Sequence, residues 1–408
     1  MIPREKEATI SMKNIIFISP NFPANYWLFC RELRANGMNV LGIGDERYER
    51  LSQGLRENLT EYYKVDNLEN YDSVYRAVAF LIFKYGPIDW LESNNEYWLE
   101  RDARLRTAFH ITSGYQEADM PAIKLKSQMK EYYRRAGIPT ARYHIVEGLE
   151  DCRAFISQVG YPVVVKPDNG AGASDTHALR SDEALLKFFE MKDPKVRYIM
   201  EEYVYAEVNS YDAIYDSHGE PMFEAGNVTP MSIMDIVNDG DNSIYYILRD
   251  LPEDTRAAGR ATARAFGVKS RFIHFEFFRL TRDQAGLGKK GDLVGLEVNM
   301  RPSGGYTPDM IDYAHGTNVY KVWADMVAFD KTSIPEKDHY FCAYLGRRDG
   351  KRFVMSHEDI MRTYGARMRL VGRIPQVLSG AMGNQMYIAV FPTREEMDRF
   401  YQDTLACL

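Results

Sequence analysis

Long apolar runs are missing from this 408-residue chain. No stretch approaches the ~20 apolar residues of a membrane span, and Met1 to Ser11 mixes both charge signs without the apolar centre of a signal peptide. A cytoplasmic protein that does not touch membrane is expected. Cysteine is scarce: Cys30, Cys152, Cys342 and Cys407 show no CxxC or Cys/His spacing. Neither a zinc site nor a disulfide framework is therefore indicated. An excess of basic residues is also absent, since the formal charge is -7. Nucleic acid and anionic lipid are bound largely by clustered Lys and Arg, so no nucleic-acid partner is expected. The turn after the first apolar run, Ser19-Pro-Asn-Phe-Pro23, has no GxGxxG, so a nicotinamide or flavin cofactor gains no support. Internal repeats and low-complexity stretches are lacking as well.

What is present is an ordinary globular composition, 45% hydrophobic and 27% charged, at a length that accommodates two or three cores. Asn14-Ile-Ile-Phe-Ile18 reads as a buried parallel strand, followed by a helical stretch through Arg34 and a second apolar run, Asn39-Val-Leu-Gly-Ile43. Together they predict a β-α-β unit, with a further α/β repeat through Ile88-Asp-Trp-Leu91. From about Lys126 the pattern changes to helix, strand and glycine loop, and after Asp330 a polar, proline-containing connection leads into a tail of strands and helices.

Two clusters carry chemistry. The first is Tyr161-Pro-Val-Val-Val-Lys166, whose stiff β-branched residues fix Lys166 where the chain enters Asp168-Asn-Gly-Ala-Gly-Ala-Ser174. Glycine lets backbone N–H groups converge on phosphate oxygens, and the ammonium supplies charge. A plain hairpin loop with a surface lysine has the same pattern. The second is Leu293-Val-Gly-Leu-Glu297-Val-Asn299-Met-Arg301, in which strict alternation puts Glu297, Asn299 and Arg301 on one face and Val294, Leu296, Val298 and Met300 on the other. Upstream, Arg271-Phe-Ile-His-Phe-Glu276-Phe-Phe278 predicts the partner strand of a hairpin that sets Glu276 beside Glu297. Carboxylates and an amide oxygen on one sheet face are hard ligands for Mg²⁺. A solvated polar face is the plainer reading, but acidic residues among strongly apolar neighbours are poor strand formers unless something uses them. Between the clusters, Tyr198-Ile-Met-Glu201-Glu202-Tyr203-Val204 runs from a strand into an extended segment whose backbone suits an adenine edge. His144, His177, His274 and His315 stand isolated and are assigned no role.

In that order, Lys126, Lys166 with its glycine loop, Glu201-Glu202-Tyr203-Val204, Glu276 and Glu297-x-Asn299-x-Arg301 resemble the motif set of the ATP-grasp superfamily across residues 14 to 325. The likeness is nearest to biotin carboxylase, carbamoyl-phosphate synthetase and amino-acid ligase members. It implies a multidomain α/β and α+β fold. A Rossmann-like preATP-grasp domain (12–120) would precede a small lobe with a glycine-rich lid (121–205), a large lobe with the metal site (206–330) and a C-terminal α+β appendage (331–408). Carried over by position, Lys126, Lys166, Gly170, Gly172, Ser174, Glu201, Glu202, Val204 and Glu207 would contact ATP. Glu276, Glu297 and Asn299 would hold one or two Mg²⁺ ions, with Mn²⁺ as an alternative, and Arg301 would be the catalytic cation. Glu207 fits least, because Tyr205-Ala206 replaces the glycine-containing spacer expected before it.

The implied reaction activates a small carboxylate as an acyl-phosphate and joins it to an amine, releasing ADP and phosphate. A catalytically weak ATP-binding regulatory protein and a phosphotransferase of the same fold are the alternatives. The resemblance names neither substrate, and it leaves open whether the appendage shapes the pocket or supports a homodimer.

Overall fold

The computed structural model describes residues 12–170, 175–230 and 241–408. The chain divides into two compact units, Met1–Glu117 with Tyr320–Thr332, and Ala118–Val319 with Ser333–Leu408. No helix among the described residues is long and apolar enough to cross a membrane.

The first unit is built on four parallel strands, β1 (Asn14–Ile18), β2 (Asn39–Gly44), β3 (Glu61–Lys64) and β4 (Trp90–Glu92), in the order β3-β2-β1-β4. Every residue of β1 is buried, which is why it reads as a continuous apolar run rather than an alternating one. The helix Tyr71–Tyr85 turns Val74, Ala77, Val78 and Leu81 into the core beside Leu41, Ile43 and Leu91. Residues far along the sequence complete this unit. Trp323 is buried with its ring edge-on to Phe29 at 5.1 Å and to Phe17 at 6.3 Å. Nothing in the local pattern around Trp323 distinguishes that destination from any other apolar helix.

The second unit holds two antiparallel sheets. The smaller contains β5 (Tyr143–Ile145), β6 (Val163–Pro167), β7 (His177–Leu179) and β8 (Tyr198–Glu202) in the order β5-β8-β6-β7. The helices Leu149–Val159 and Asp182–Met191 supply Cys152, Phe155, Ile156, Leu185 and Phe188 to its core. The larger sheet has nine strands: β9 (Ala206–Tyr215), β10 (Pro221–Ala225), β11 (Asn227–Thr229), β12 (Ser243–Ile247), β13 (Arg271–Leu280), β14 (Leu293–Asn299), β15 (Phe341–Arg347), β16 (Met368–Arg373) and β17 (Gln385–Phe391). They run β14-β13-β9-β11-β12-β15-β17-β16, with β10 beside β9. The strands that follow residue 340 thus extend this same sheet, through β12 and β15. The four cysteines are free, and Cys30, Cys152 and Cys342 are buried.

The helix Glu253–Ala265 packs onto β9, and Gly259 makes the close approach feasible. A Cβ at Gly259 would fall 2.2 Å from Cγ of the Tyr211 ring. The Tyr211 hydroxyl in turn donates to Glu224, which also binds Arg256 and Arg260. Gly259→Ala is therefore expected to cost about 1–3 kcal/mol by overpacking, seen as a lower urea midpoint at unchanged slope. A change within the ~0.5 kcal/mol of an ordinary surface substitution would contradict this account.

Candidate active site

A strand of the small sheet and a helix beside it aim cations at one place. Lys166 leaves β6, where Val163 and Val165 are buried on one face, and its Nζ lies 2.7 Å from Glu201 Oε2 on neighbouring β8. Lys130, one turn beyond Lys126 on the helix Lys126–Arg135, reaches the other oxygen of Glu201 at 2.6 Å. Burial acts to raise the Glu201 carboxyl, but the two ammonium groups outweigh it and hold it at about 2. Burial depresses Lys130, whereas for Lys166 the nearby Glu201, Glu297 and Glu276 overcome the same burial and raise it. Lys130 belongs to this cluster although sequence reasoning passed over it; its i,i+4 relation to Lys126 was the available signal.

The start of that helix is fixed by Asp168, whose carboxylate accepts from the Ser127 backbone N–H and hydroxyl, both at 2.8 Å. Lys126 Nζ then donates to the Gly170 carbonyl at 2.8 Å and lies 3.4 Å from Glu297 Oε1. Gly172 and Ser174, assigned to the phosphate loop above, lie outside the described residues.

In the large sheet, β13 and β14 pair antiparallel with Glu276 directly opposite Glu297. Residues so placed have Cβ atoms about 5 Å apart. His274, opposite Asn299, sits between Asp212 Oδ1 at 2.8 Å and Glu276 Oε1 at 3.1 Å. Burial disfavours its charge, but the two carboxylates prevail and lift its pKa to about 9. Glu276 is itself held below the usual carboxylate range: His274, Arg301 and Lys166 overcome the upward push of burial. Arg301 donates to the Asn299 side-chain oxygen at 3.2 Å.

Strict alternation fails in one place. The pairing Glu276↔Glu297 is followed by Phe277↔Gly295, so Leu296 is an extra residue, a β-bulge. Leu296 therefore joins Glu297 in lining the cavity instead of facing Val298, and Gly295 comes to the opposite side. There the Tyr133 ring lies so close that a Cβ on Gly295 would be 2.5 Å from it. The Tyr133 hydroxyl donates to the carbonyls of Glu276 and Glu297, at 3.1 and 3.0 Å, bracing the two acidic residues from behind. Tyr133→Phe removes a donor shared by two carbonyls and is expected to cost about 1–3 kcal/mol of stability, measured by urea denaturation. An unaltered midpoint would show that the brace contributes nothing.

These groups line one cavity of about 520 Å³, within the range that holds a cofactor-sized ligand. It includes Lys126, Lys166, Glu201, Glu202, Val204, Glu276, Glu297, Asn299 and Arg301. Glu202 enters it with its carboxylate already engaged, accepting from the Arg142 guanidinium at 2.7 Å and from the Arg142 backbone. Glu207 is the exception. It is exposed on β9, on the face opposite to Ala206 and Val208, which line the cavity while Glu207 does not. The chain enters β9 directly at Ala206, so Glu207 is already a strand residue. The far wall was not foreseen as such: Asn227 and Thr229 of β11, Ser243 and Tyr245 of β12, Thr307, and Leu378, Ala381 and Met382 from the helix Gln376–Met382. Residues 231–240 lie outside the described residues, but the strands on both sides of them, β11 and β12, reach the cavity.

The chain has the ATP-grasp fold. It is 25% identical over 311 residues to the L-arginine-specific L-amino acid ligase of Bacillus subtilis, which covers 74% of this chain and 72% of that protein. The structure of an L-amino acid ligase from Bacillus licheniformis superposes with a TM-score of 0.69 at 15% identity, covering 98% of this chain and 99% of that one. The biotin carboxylase domain of Hydrogenobacter thermophilus 2-oxoglutarate carboxylase, solved with MgADP and bicarbonate, gives 0.67 at 17% identity over 96% and 89%. No protein-family model matches the chain.

Proposed function

We infer that this chain is an ATP-dependent carboxylate-amine ligase that joins amino acids or similar small substrates through an acyl-phosphate. The observation that carries the reading is the convergence of Glu276, Glu297 and Asn299 with Lys126, Lys166 and Arg301 in one cavity. The kinship with the Bacillus subtilis ligase supports it.

The donor set fits Mg²⁺: two carboxylates and an amide oxygen are hard ligands, and Glu276 stays ionised because cations surround it. Glu276, Glu297 and Asn299 would hold the ion, which when bound neutralises charge on the ATP phosphates. Lys126 and Lys166 bind phosphate oxygens, with Glu201 holding Lys166 charged and in place. The Glu202–Val204 segment frames the adenine. Arg301 sits at the edge of the acidic cluster, where a carboxylate substrate would meet the γ-phosphoryl group.

In the first step a carboxylate oxygen attacks the γ-phosphorus and ADP departs. In the second, the amine nitrogen attacks the acyl carbon, phosphate leaves with the electron pair of the C–O bond, and the nitrogen loses a proton. The chain supplies positioning and charge, and no covalent intermediate with a side chain is required. The wall formed by Leu378, Ala381 and Met382 with Asn227, Ser243 and Thr307 shapes the substrate end of the cavity.

ADP and phosphate release measured across a panel of L-amino acids and small carboxylates, with hydroxylamine as trapping amine, tests the reading. Release of both products, and a hydroxamate when hydroxylamine replaces the amine, is expected. A stable phosphorylated product would identify a phosphotransferase instead, and ATP binding without turnover on any pair would favour a regulatory protein.

A further inference from the structure

Apart from the nucleotide cavity, the second unit gathers donors that the proposed reaction does not use. His315 ends the helix Thr307–His315 and is only 3% exposed. Neither of its ring nitrogens makes a well-formed hydrogen bond among the described residues; Nδ1 comes only to 3.4 Å from Glu336 Oε2. A buried imidazole left in that condition calls for a partner. His339 lies edge-on to it at 5.9 Å, and ligand atoms of His315, Glu336 and His339 all fall within 4.8 Å of one another.

The backbone holds this arrangement. The N–H groups of Lys337 and Asp338 donate to the His315 carbonyl at 2.9 and 3.2 Å, and that of Tyr340 donates to the Ala314 carbonyl at 2.9 Å. The segment bearing Glu336 and His339 is thus laid across the end of a helix, where the macrodipole favours a cation. His339 Nδ1 faces the Arg249 carbonyl at 3.4 Å and Asp250 Oδ1 at 3.7 Å, the kind of outer partner that orients a ligating imidazole. The groups acting on Glu336 are His315 first, then His339, with Arg256 of the neighbouring helix the weakest of the three.

We propose that His315, Glu336 and His339 bind one divalent transition-metal ion of the zinc class, which fastens the segment carrying Glu336 and His339 to the helix Thr307–His315. Two imidazoles and one carboxylate select a borderline ion rather than Mg²⁺, which prefers oxygen. Tetrahedral ligation at ~2.0–2.1 Å brings donors to roughly 3.3 Å from one another, a contraction that the exposed Glu336 and His339 side chains absorb while His315 stays fixed. Sequence spacing gave no warning, because His315 comes from a helix more than twenty residues before Glu336-x-x-His339. The opposite end of that helix, Thr307, lines the nucleotide cavity, about 12 Å away along the axis. The ion is therefore structural with respect to the cavity and not part of it.

The full chain, stripped with chelator and kept free of nucleotide in excess Mg²⁺, is titrated with Co²⁺ and followed by visible absorption. One equivalent is expected to bind with a d–d band and to be displaced by Zn²⁺. His339→Ala and Glu336→Gln, both at exposed positions, should each weaken binding by ~100-fold or more while circular dichroism stays unchanged. No band at one equivalent, binding unaffected by His339→Ala, or a band abolished by Glu297→Gln instead would each overturn the proposal.

Discussion

Glu297→Gln is expected to lower ATP-dependent ADP release by about 10²–10³-fold, the scale on which removal of one preorganised charge-stabilising group acts. The substitution keeps volume and hydrogen-bonding capacity but removes the negative charge that, with Glu276, would gather Mg²⁺. Lys126 also loses the carboxylate 3.4 Å from its ammonium. The fold should survive, because the change removes one of two like charges set opposite each other and leaves the Glu297 carbonyl to accept from Tyr133. Stability and activity are thus predicted to separate: an unfolding midpoint close to that of the parent chain, with turnover that excess Mg²⁺ restores only in part. Rates within a fewfold of the parent, at unchanged Mg²⁺ dependence, would exclude Glu297 from ion binding. Glu276→Gln should behave alike in turnover but cost more stability, since Glu276 also accepts from a charged His274.

The parts of this site that could be read from the sequence are those in which chemistry opposes local propensity. Glu276, Glu297 and Asn299 were legible because polar oxygen donors interrupt strands that are otherwise strongly apolar and that follow one another in the sequence. Lys166 was legible because a β-branched strand delivers it to a glycine loop. Asp212 and Tyr133 were not, since an aspartate and a tyrosine among ordinary strand and helix residues carry no such conflict; only the tertiary arrangement sets them behind the acidic pair, and it sets Lys130, whose one signal was its spacing from Lys126, against Glu201. The bulge at Leu296 was equally hidden, because an extra residue in a ladder depends on the partner strand. Long-range returns form the third class. The burial of Trp323 in the first unit, and of β15 to β17 in the sheet that carries the site, depends on contacts between residues far apart in the sequence, which local periodicity does not encode.

Glu201→Gln should produce the largest loss of stability, about 3–5 kcal/mol at neutral pH, because it leaves two buried ammonium groups without their shared counter-ion. Lys130 and Lys166 are both buried, and each has an ammonium within 2.7 Å of a Glu201 oxygen. The pH dependence separates this from a simple packing defect. Glu201 is held at about 2 in the folded chain against 4.5 for an unperturbed glutamate. A carboxyl depressed by folding contributes stability that is complete above pH ~4.5 and drains away as pH falls towards 2, roughly 3 kcal/mol over that window. The difference in unfolding free energy between parent and Glu201→Gln, from urea titrations at a series of pH values, should therefore be constant above pH ~5 and narrow steadily below it. A difference that persists unchanged at pH 3 would mean that Glu201 acts by shape and hydrogen bonding rather than by charge. ATP affinity supplies the link to function: with Glu201 neutral, burial is free to push protons off the lysines, so the chain should bind nucleotide more weakly as pH rises. Parent chain, in which Glu201 keeps Lys166 charged, should hold its affinity across the same range.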